Sequence, residues 1–279
     1  MGPHRGIPHI PGAIITKVAI VTGASAGIGR ATADRLASRG WTVVGASRRG
    51  TSGPGWSGFV TDVDDDASVA ALVEHVIVTH GRIDALVAAA GWGLAGPVEM
   101  TSIDEARAQV ETNFWGVVRC TTAVLPHLRG NGGGRVVVLS SIGGLIGIPF
   151  QAYYSASKFA LEGWAEALAY EVAPFGVQIT LIEPGNFRTD FTGSRRQCSA
   201  DPGPYADASG HAVEVMERDE REGADPAAVA ALIADQLESP RARRRVSVGK
   251  SGERIGLVVK RLVPHRWFEV LAKDSLGVE

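Results

Sequence analysis

The chain has 279 residues, 45% of them apolar, and a formal net charge of −2. That length and composition allow one large domain with a sizeable core and exclude a globally disordered chain. The balanced charge gives no reason to expect nucleic acid or an anionic membrane as partner, and no apolar run is long enough to span a bilayer.

The two cysteines, Cys120 and Cys198, lie far apart and form no C-x-x-C pair. Free thiols suit a reducing compartment, so the expectation is a soluble cytoplasmic protein. Residues 1–15, rich in His, Arg, Gly and Pro, read as a loose leader before a single domain over 16–279.

Lys17 to Thr22 is a short β-branched run of the kind that forms a strand buried on both faces. A turn containing Gly23, Ser25, Ala26, Gly27, Ile28 and Gly29 follows, then an amphipathic pattern to Ser38 that Gly40 stops. Strand, glycine turn and helix make a pyrophosphate-binding corner, because glycines let the backbone approach and the helix start supplies N–H groups and positive dipole. The spacing is G-x-x-x-G-x-G, not G-x-G-x-x-G, and an ordinary strand-to-helix turn is the alternative.

Trp41 to Ser47 is a second strand, ending in Ser47-Arg48-Arg49. A dinucleotide fold that selects NAD(H) places a carboxylate here for the ribose hydroxyl, whereas arginine suits a 2′-phosphate. Ser47 with Arg48 and Arg49 therefore predicts NADP(H) over NAD(H), against the plainer possibility of a solvated strand end. Gly58 to Val63 reads as a third strand. Asp62 near its end either accepts a hydrogen bond from adenine or begins a loop. The acidic run after it caps a helix over Asp66–His80, stopped by Gly81, and does not suggest a metal site. Ile83 to Ala89 is a fourth strand. Ala89, Ala90 and Gly91 at its end are small enough for a cofactor to approach.

Thr101 to about Arg129 reads as one or two helices, with Asn113 inside the pattern, where an Asn is usually solvated. Arg135 to Ser140 is a central strand. Ser140 and Ser141 stand at its carboxyl end, where open parallel sheets bind ligands. Gly143, Gly144 and Gly147 predict a flexible loop into a helix from about Tyr153 to Pro174. On that helix Tyr154 and Lys158 are four apart and share a face. A free tyrosine titrates near about 10, and an adjacent cation favours its phenolate, which would make a proton-transfer group.

Val177 to Ile182 is a sixth strand, ended by Glu183-Pro184-Gly185. The polar stretch at about 190–223 suggests a substrate lid. Asp225 and Pro226 begin a helix to Leu237, and Arg241 to Val248 contains a last strand whose arginine run reads as a solvated edge. Ile255 to Leu271 is weakly amphipathic. Alternating strands and helices predict one doubly wound, Rossmann-type parallel sheet of about seven strands with helices on both faces. Trp92, Leu94, Leu145, Ile148, Phe150, Phe187 and Phe191 flank the site in sequence and suggest an apolar substrate pocket.

These motifs together resemble the short-chain dehydrogenase/reductase family over about Lys17 to Thr189, in its branch of 17β-hydroxysteroid and retinol dehydrogenase-like enzymes. The match lies in Thr22-Gly23-x-x-x-Gly27-x-Gly29, in Asn113, Ser141, Tyr154 and Lys158, and in Pro184-Gly185 through Thr189. The resemblance implies hydride transfer between NADP(H) and a hydrophobic alcohol or ketone. It makes Tyr154 the proton donor or acceptor and has Lys158 lower the Tyr154 pKa and bind the nicotinamide ribose. Ser141 would hold the substrate oxygen, and Asn113 a water beside Lys158. Pro184, Gly185, Phe187 and Thr189 would contact the nicotinamide carboxamide. A homodimer or homotetramer through the helices around Asn113 and Tyr154 is implied as well. One departure stands out: Ala88-Ala89-Ala90-Gly91 lacks the Asn that the family places there. The alternative function is a dinucleotide-binding regulator that has lost turnover.

Overall fold

In the computed structural model, which describes residues 16–275, strands and helices alternate along the chain. β1 (Val18–Thr22), α1 (Gly27–Ser38), β2 (Thr42–Ser47), β3 (Ser57–Val60), α2 (Asp66–His80) and β4 (Ala85–Ala88) come first. A short β5 (Leu94–Ala95) precedes α3 (Ile103–Val110) and α4 (Gly116–Gly130), which are joined by a π-helical turn over Glu111–Trp115. β6 (Gly134–Leu139), α5 (Ala152–Val172) and β7 (Val177–Pro184) follow. The last part holds α6 (Phe191–Ser194), β8 (Arg196–Gln197), α7 (Ala206–Arg221), α8 (Pro226–Glu238), β9 (Arg245–Val248), α9 (Ser251–Leu262) and α10 (His265–Ser275). The leader expected over 1–15 lies outside the described residues.

Seven strands form a parallel sheet in the order β3-β2-β1-β4-β6-β7-β9. The chain winds outward from β1 in one direction through β2 and β3, then returns to β4 and winds the other way. The crevice between β1 and β4 is therefore the switch point at which such sheets bind ligands. All five residues of β1 are buried, as a strand covered on both faces requires. Ile20, Leu86 and Val136 pack with Leu72, Val124 and Leu161 on one face, and Val21, Val87 and Val137 with Leu36 and Ile233 on the other. Each fully buried Leu or Ile contributes roughly 1.5–3 kcal/mol, so both helical layers are held by the alternation of side chains along the same strands.

Local capping matches the sequence. The Asp65 side chain accepts the Ala67 N–H, and Gly81 closes α2 in the left-handed region. The Asp225 side chain accepts the Ala227 N–H ahead of Pro226.

Elsewhere the structure differs from expectation. The third strand ends at Val60, because the Asp62 N–H turns to the Ser68 hydroxyl, and Asp62 and Val63 lie on the following loop. The glycine loop after β6 is a 3-10 turn over Ile142–Gly144, with Gly143 and Gly144 buried. The arginine run before β9 is not simply solvated. Arg245 pairs with Glu162 and Glu166, and Arg244 lies over the Tyr170 ring. The tail forms two helices broken at Pro264.

Candidate active site

A cavity of about 1040 Å³ opens at the carboxyl ends of the central strands. Its cofactor end is built on the glycine turn. Gly23 has φ +69°, and a Cβ there would come 2.8 Å from the Ala89 carbonyl oxygen, so only glycine fits. Ala26 precedes α1 with no side-chain cap, which leaves first-turn N–H groups for an anion. Arg49 donates to the Ser25 hydroxyl at 2.8 Å and fastens the turn to the end of β2. Arg48 beside it is exposed and pairs with no carboxylate among the described residues. The buried Ser47 hydroxyl lines the cavity without a hydrogen-bond partner among the described residues. An uncapped helix start, a glycine turn and an unpartnered hydroxyl fit a dinucleotide.

Ser25, Ala26, Gly27, Ile28, Gly29, Asp62, Val63, Ala89, Ala90 and Gly91 also line this cavity. So do Pro184, Gly185, Phe187 and Thr189 at its other side. The tie that Ala88-Ala89 does not supply comes from β1. The Thr22 hydroxyl accepts the N–H groups of Ala89 and Ala90 at 3.0 and 3.1 Å.

α5 carries Tyr154 and Lys158 into the cavity, with the Lys158 Nζ 5.8 Å from the Tyr154 ring centre. Lys158 donates to the Leu139 carbonyl at 2.8 Å, which fixes its reach. The Ser141 Oγ accepts the Gly143 N–H at 3.0 Å. A Cβ on Gly143 would lie 3.2 Å from the Tyr154 ring and 2.9 Å from Ile148, so this turn lets serine, tyrosine and the apolar wall meet. Asn113 is fully buried. It sits in the π turn, where the extra residue per turn re-aims a side chain inward. Its amide donates to the Trp92 carbonyl at 3.0 Å and to the Ser157 hydroxyl at 3.3 Å.

Burial dominates the electrostatics. Desolvation pushes the Tyr154 phenol above its ordinary value, while the Ser141 hydroxyl pulls the other way. Desolvation also lowers the Lys158 ammonium to about 8. The sequence led us to expect a Tyr154 lowered by Lys158. Loss of water around the phenol, with the Glu220 carboxylate acting in the same direction, outweighs the Ser141 hydroxyl and the Arg195 guanidinium.

Of the expected substrate wall, Trp92, Ile148 and Phe191 line the cavity. Leu145 and Phe150 do not. Leu145 turns its carbonyl to Lys260, and Phe150, at φ +57°, accepts the Gly96 N–H through its carbonyl. Leu94 is buried in β5. The rest of the wall comes from residues that local sequence did not mark: Ile142 and Ile146, Val215 and Met216 of α7, Val259 of α9 and Phe268 of α10. Glu220 of α7 also faces the cavity and pairs with Arg195, whose guanidinium lies over the Phe191 ring. Phe191 in turn meets the Tyr154 ring at 5.7 Å.

A doubly wound sheet with a glycine turn and a buried Tyr–Lys pair defines a nucleotide-binding oxidoreductase. Residues 17–199 match the family described as short chain dehydrogenase, and the chain belongs to that family, whose members bind NAD(P) and act on carbonyl and alcohol groups. It is 39% identical over 236 residues to a 3-ketodihydrosphingosine reductase of Bacteroides thetaiotaomicron, covering 84% of this chain and 88% of that one. It is 42% identical over 191 residues to human 17-beta-hydroxysteroid dehydrogenase type 1, covering 62% of this chain and 58% of the human one. A solved short-chain dehydrogenase from Streptomyces avermitilis superposes with a TM-score of 0.81 at 32% identity, over 95% of this chain and 98% of the other.

Proposed function

We propose that this protein is an NADP(H)-preferring reductase or dehydrogenase that interconverts hydrophobic ketones and alcohols. The observation that carries it is the burial of Tyr154 and Lys158 together in the cavity, on one face of α5, with Ser141 across from them. The ammonium and the phenol line one cavity with the glycine turn, and perturbed groups in a cleft mark chemistry.

In this scheme Tyr154 exchanges a proton with the substrate oxygen, and the Ser141 hydroxyl donates a hydrogen bond to the same oxygen as charge develops. Lys158 holds the ribose of the cofactor and favours the Tyr154 phenolate once the site is filled and water is excluded. Asn113 keeps the loop after β4 in place beside Lys158. Bound nicotinamide supplies or accepts the hydride. Arg48 and Arg49 at the end of β2, with no carboxylate at Ser47, favour a 2′-phosphate. The polar stretch 190–223 covers the site as a lid, with α7 as its body. The apolar wall suits a hydrophobic substrate, and the relatives named for a keto compound and for hydroxysteroids support a ketone–alcohol pair. Pairing of two copies through the helices around Asn113 and Tyr154 fits the exposure of Trp115 in the π turn and of Phe159 and Tyr170 on α5. A cytoplasmic setting belongs to the same proposal.

The test is a panel of steroids, retinoids, long-chain ketones and aromatic aldehydes, followed by NADPH and NADH absorbance. Tyr154→Phe should lower turnover by about 10²–10⁴-fold with cofactor affinity kept. Unchanged turnover in that variant, or tighter binding of NADH than NADPH to wild type, would refute the corresponding half of the proposal.

A further inference from the structure

The two C-terminal helices present an unusual surface. On α9, Ile255, Val258 and Leu262 are 61%, 55% and 78% exposed, and their spacing of three and four places them on one face. On α10, Trp267 and Val270, three apart, are 62% and 67% exposed. Large apolar side chains left in water at this density mark a surface that something covers.

These helices are firmly held on their other side. The Glu253 carboxylate, which caps its own helix at the Lys250 N–H, also accepts the Asn186 N–H at 2.8 Å. Lys260 reaches the Leu145 carbonyl and lies over the Phe159 and Phe268 rings. Phe268 is buried. The exposed apolar face is therefore not a helix waiting to fold back onto its own core.

Charge indicates what covers it. From residue 250 to residue 275 the chain carries Lys250, Arg254, Lys260, Arg261, Arg266 and Lys273 against Glu253, Glu269 and Asp274, although the whole chain is net negative. Arg254, Arg261 and Arg266 are exposed. Arg254 and Arg261 are seven residues apart, so they run beside the Ile255–Leu262 stripe on one flank. A second copy meeting this face about a twofold axis would set like charges against each other. An apolar stripe with tryptophan and flanking arginines is instead the pattern of a helix lying in a lipid interface.

We propose that α9 and α10 dock this protein on the surface of an anionic lipid bilayer. The same helices wall the cavity, through Ile255, Gly256 and Val259 of α9 and Phe268 of α10. Docking would hold that wall against the lipid, so an apolar substrate could pass between bilayer and cavity. That last step rests on the function proposed above, whereas the docking does not.

The experiment is co-sedimentation of the full chain with vesicles of phosphatidylglycerol and phosphatidylcholine, against vesicles of phosphatidylcholine alone. No turnover is measured, so failure of the proposed activity would not affect the outcome. Wild type should partition at least about tenfold more strongly to the anionic vesicles. Val258→Asp with Leu262→Asp should lose that partitioning while its circular dichroism and melting temperature stay unchanged. Arg254→Gln with Arg261→Gln should weaken it and flatten its dependence on salt. Equal partitioning of wild type and the aspartate variant overturns the proposal, as does absence of binding by folded wild type. Sedimentation velocity without lipid covers the remaining occupant. A dimer that the aspartate variant splits, with no vesicle binding, would assign the face to a second copy and overturn membrane docking.

Discussion

Asn113 clasps the backbone of Trp92 at both of its polar groups. The Asn113 Oδ1 accepts the Trp92 N–H at 3.0 Å, and the Asn113 Nδ2 donates to the Trp92 carbonyl at 3.0 Å. Gln109 also donates to that carbonyl at 2.8 Å, so the carbonyl has a reserve partner and the N–H has none. Asn113→Ala should therefore orphan one part-buried donor, at a cost towards the lower end of about 1–3 kcal/mol. That corresponds to a loss of roughly 2–4 °C in melting temperature per kcal/mol for a chain this size. An unshifted thermal melt would show that the clasp holds nothing.

Lys158 gives a stability prediction with a definite sign. Burial lowers its folded value to about 8, below the usual 10.5. Between those values the unfolded chain binds more protons, so this residue's contribution to stability rises with pH across that window. Below pH 8 the full penalty of the buried ammonium is present, roughly 3 kcal/mol. Lys158→Met removes the penalty. Its advantage over wild type in urea unfolding should be largest near about pH 7.5 and shrink towards about pH 10.5. A constant difference across that range would contradict the assignment.

The two arginines after β2 should separate in cofactor titrations. Arg48 makes no hydrogen bond or ion pair among the described residues, so Arg48→Ala should weaken NADPH by about 10–100-fold, the value of one charge-assisted hydrogen bond, and leave NADH alone. Arg49 holds the Ser25 hydroxyl of the glycine turn. Arg49→Ala should weaken both cofactors. Fluorescence titration of each pair decides it, and equal losses for both cofactors in Arg48→Ala would remove its role as a phosphate ligand.

The thiols should behave as two populations. Cys120 is buried in the core, and desolvation pushes its thiol up to about 12, whereas Cys198 is partly exposed. Native protein should titrate one thiol with a disulfide reagent and unfolded protein two. Modification of Cys120 at the rate of Cys198 would mean that α4 opens far more often than its packing implies.

The legible parts of the fold were those written in adjacent residues. The strand of β1, the Asp65 and Asp225 caps and the Gly81 stop each follow from local chemistry, and the structure has them. Tyr154 and Lys158 were legible as neighbours, because four residues on a helix is a fixed geometry. Their titration was not, since the desolvation that raises the Tyr154 phenol depends on walls contributed from elsewhere in the chain. The helical pattern alone gave Asn113 either solvent or some other role, and only the family resemblance pointed to the site; the π turn that carries it inward breaks the regular 3.6-residue period. Leu145 and Phe150 were assigned to the pocket by proximity in sequence, yet a 3-10 turn and a left-handed backbone step point them elsewhere. Arg245 looked like a solvated end because its partners, Glu162 and Glu166, lie about 80 positions earlier. The net charge of −2 hid a basic, amphipathic C-terminal pair of helices, since a total says nothing of distribution.

The stretch that matches the family stops at residue 199, but the cavity wall continues through Val215, Val259 and Phe268. Under the proposed function, the substrate wall is thus shared between that stretch, which holds Trp92, Ile148 and Phe191 beside Ser141, Tyr154 and Lys158, and the helices that follow it. On that reading, exchanging everything after β8 for the corresponding portion of a relative would replace the side of the wall given by α7, α9 and α10 and leave Ser141, Tyr154 and Lys158 in place.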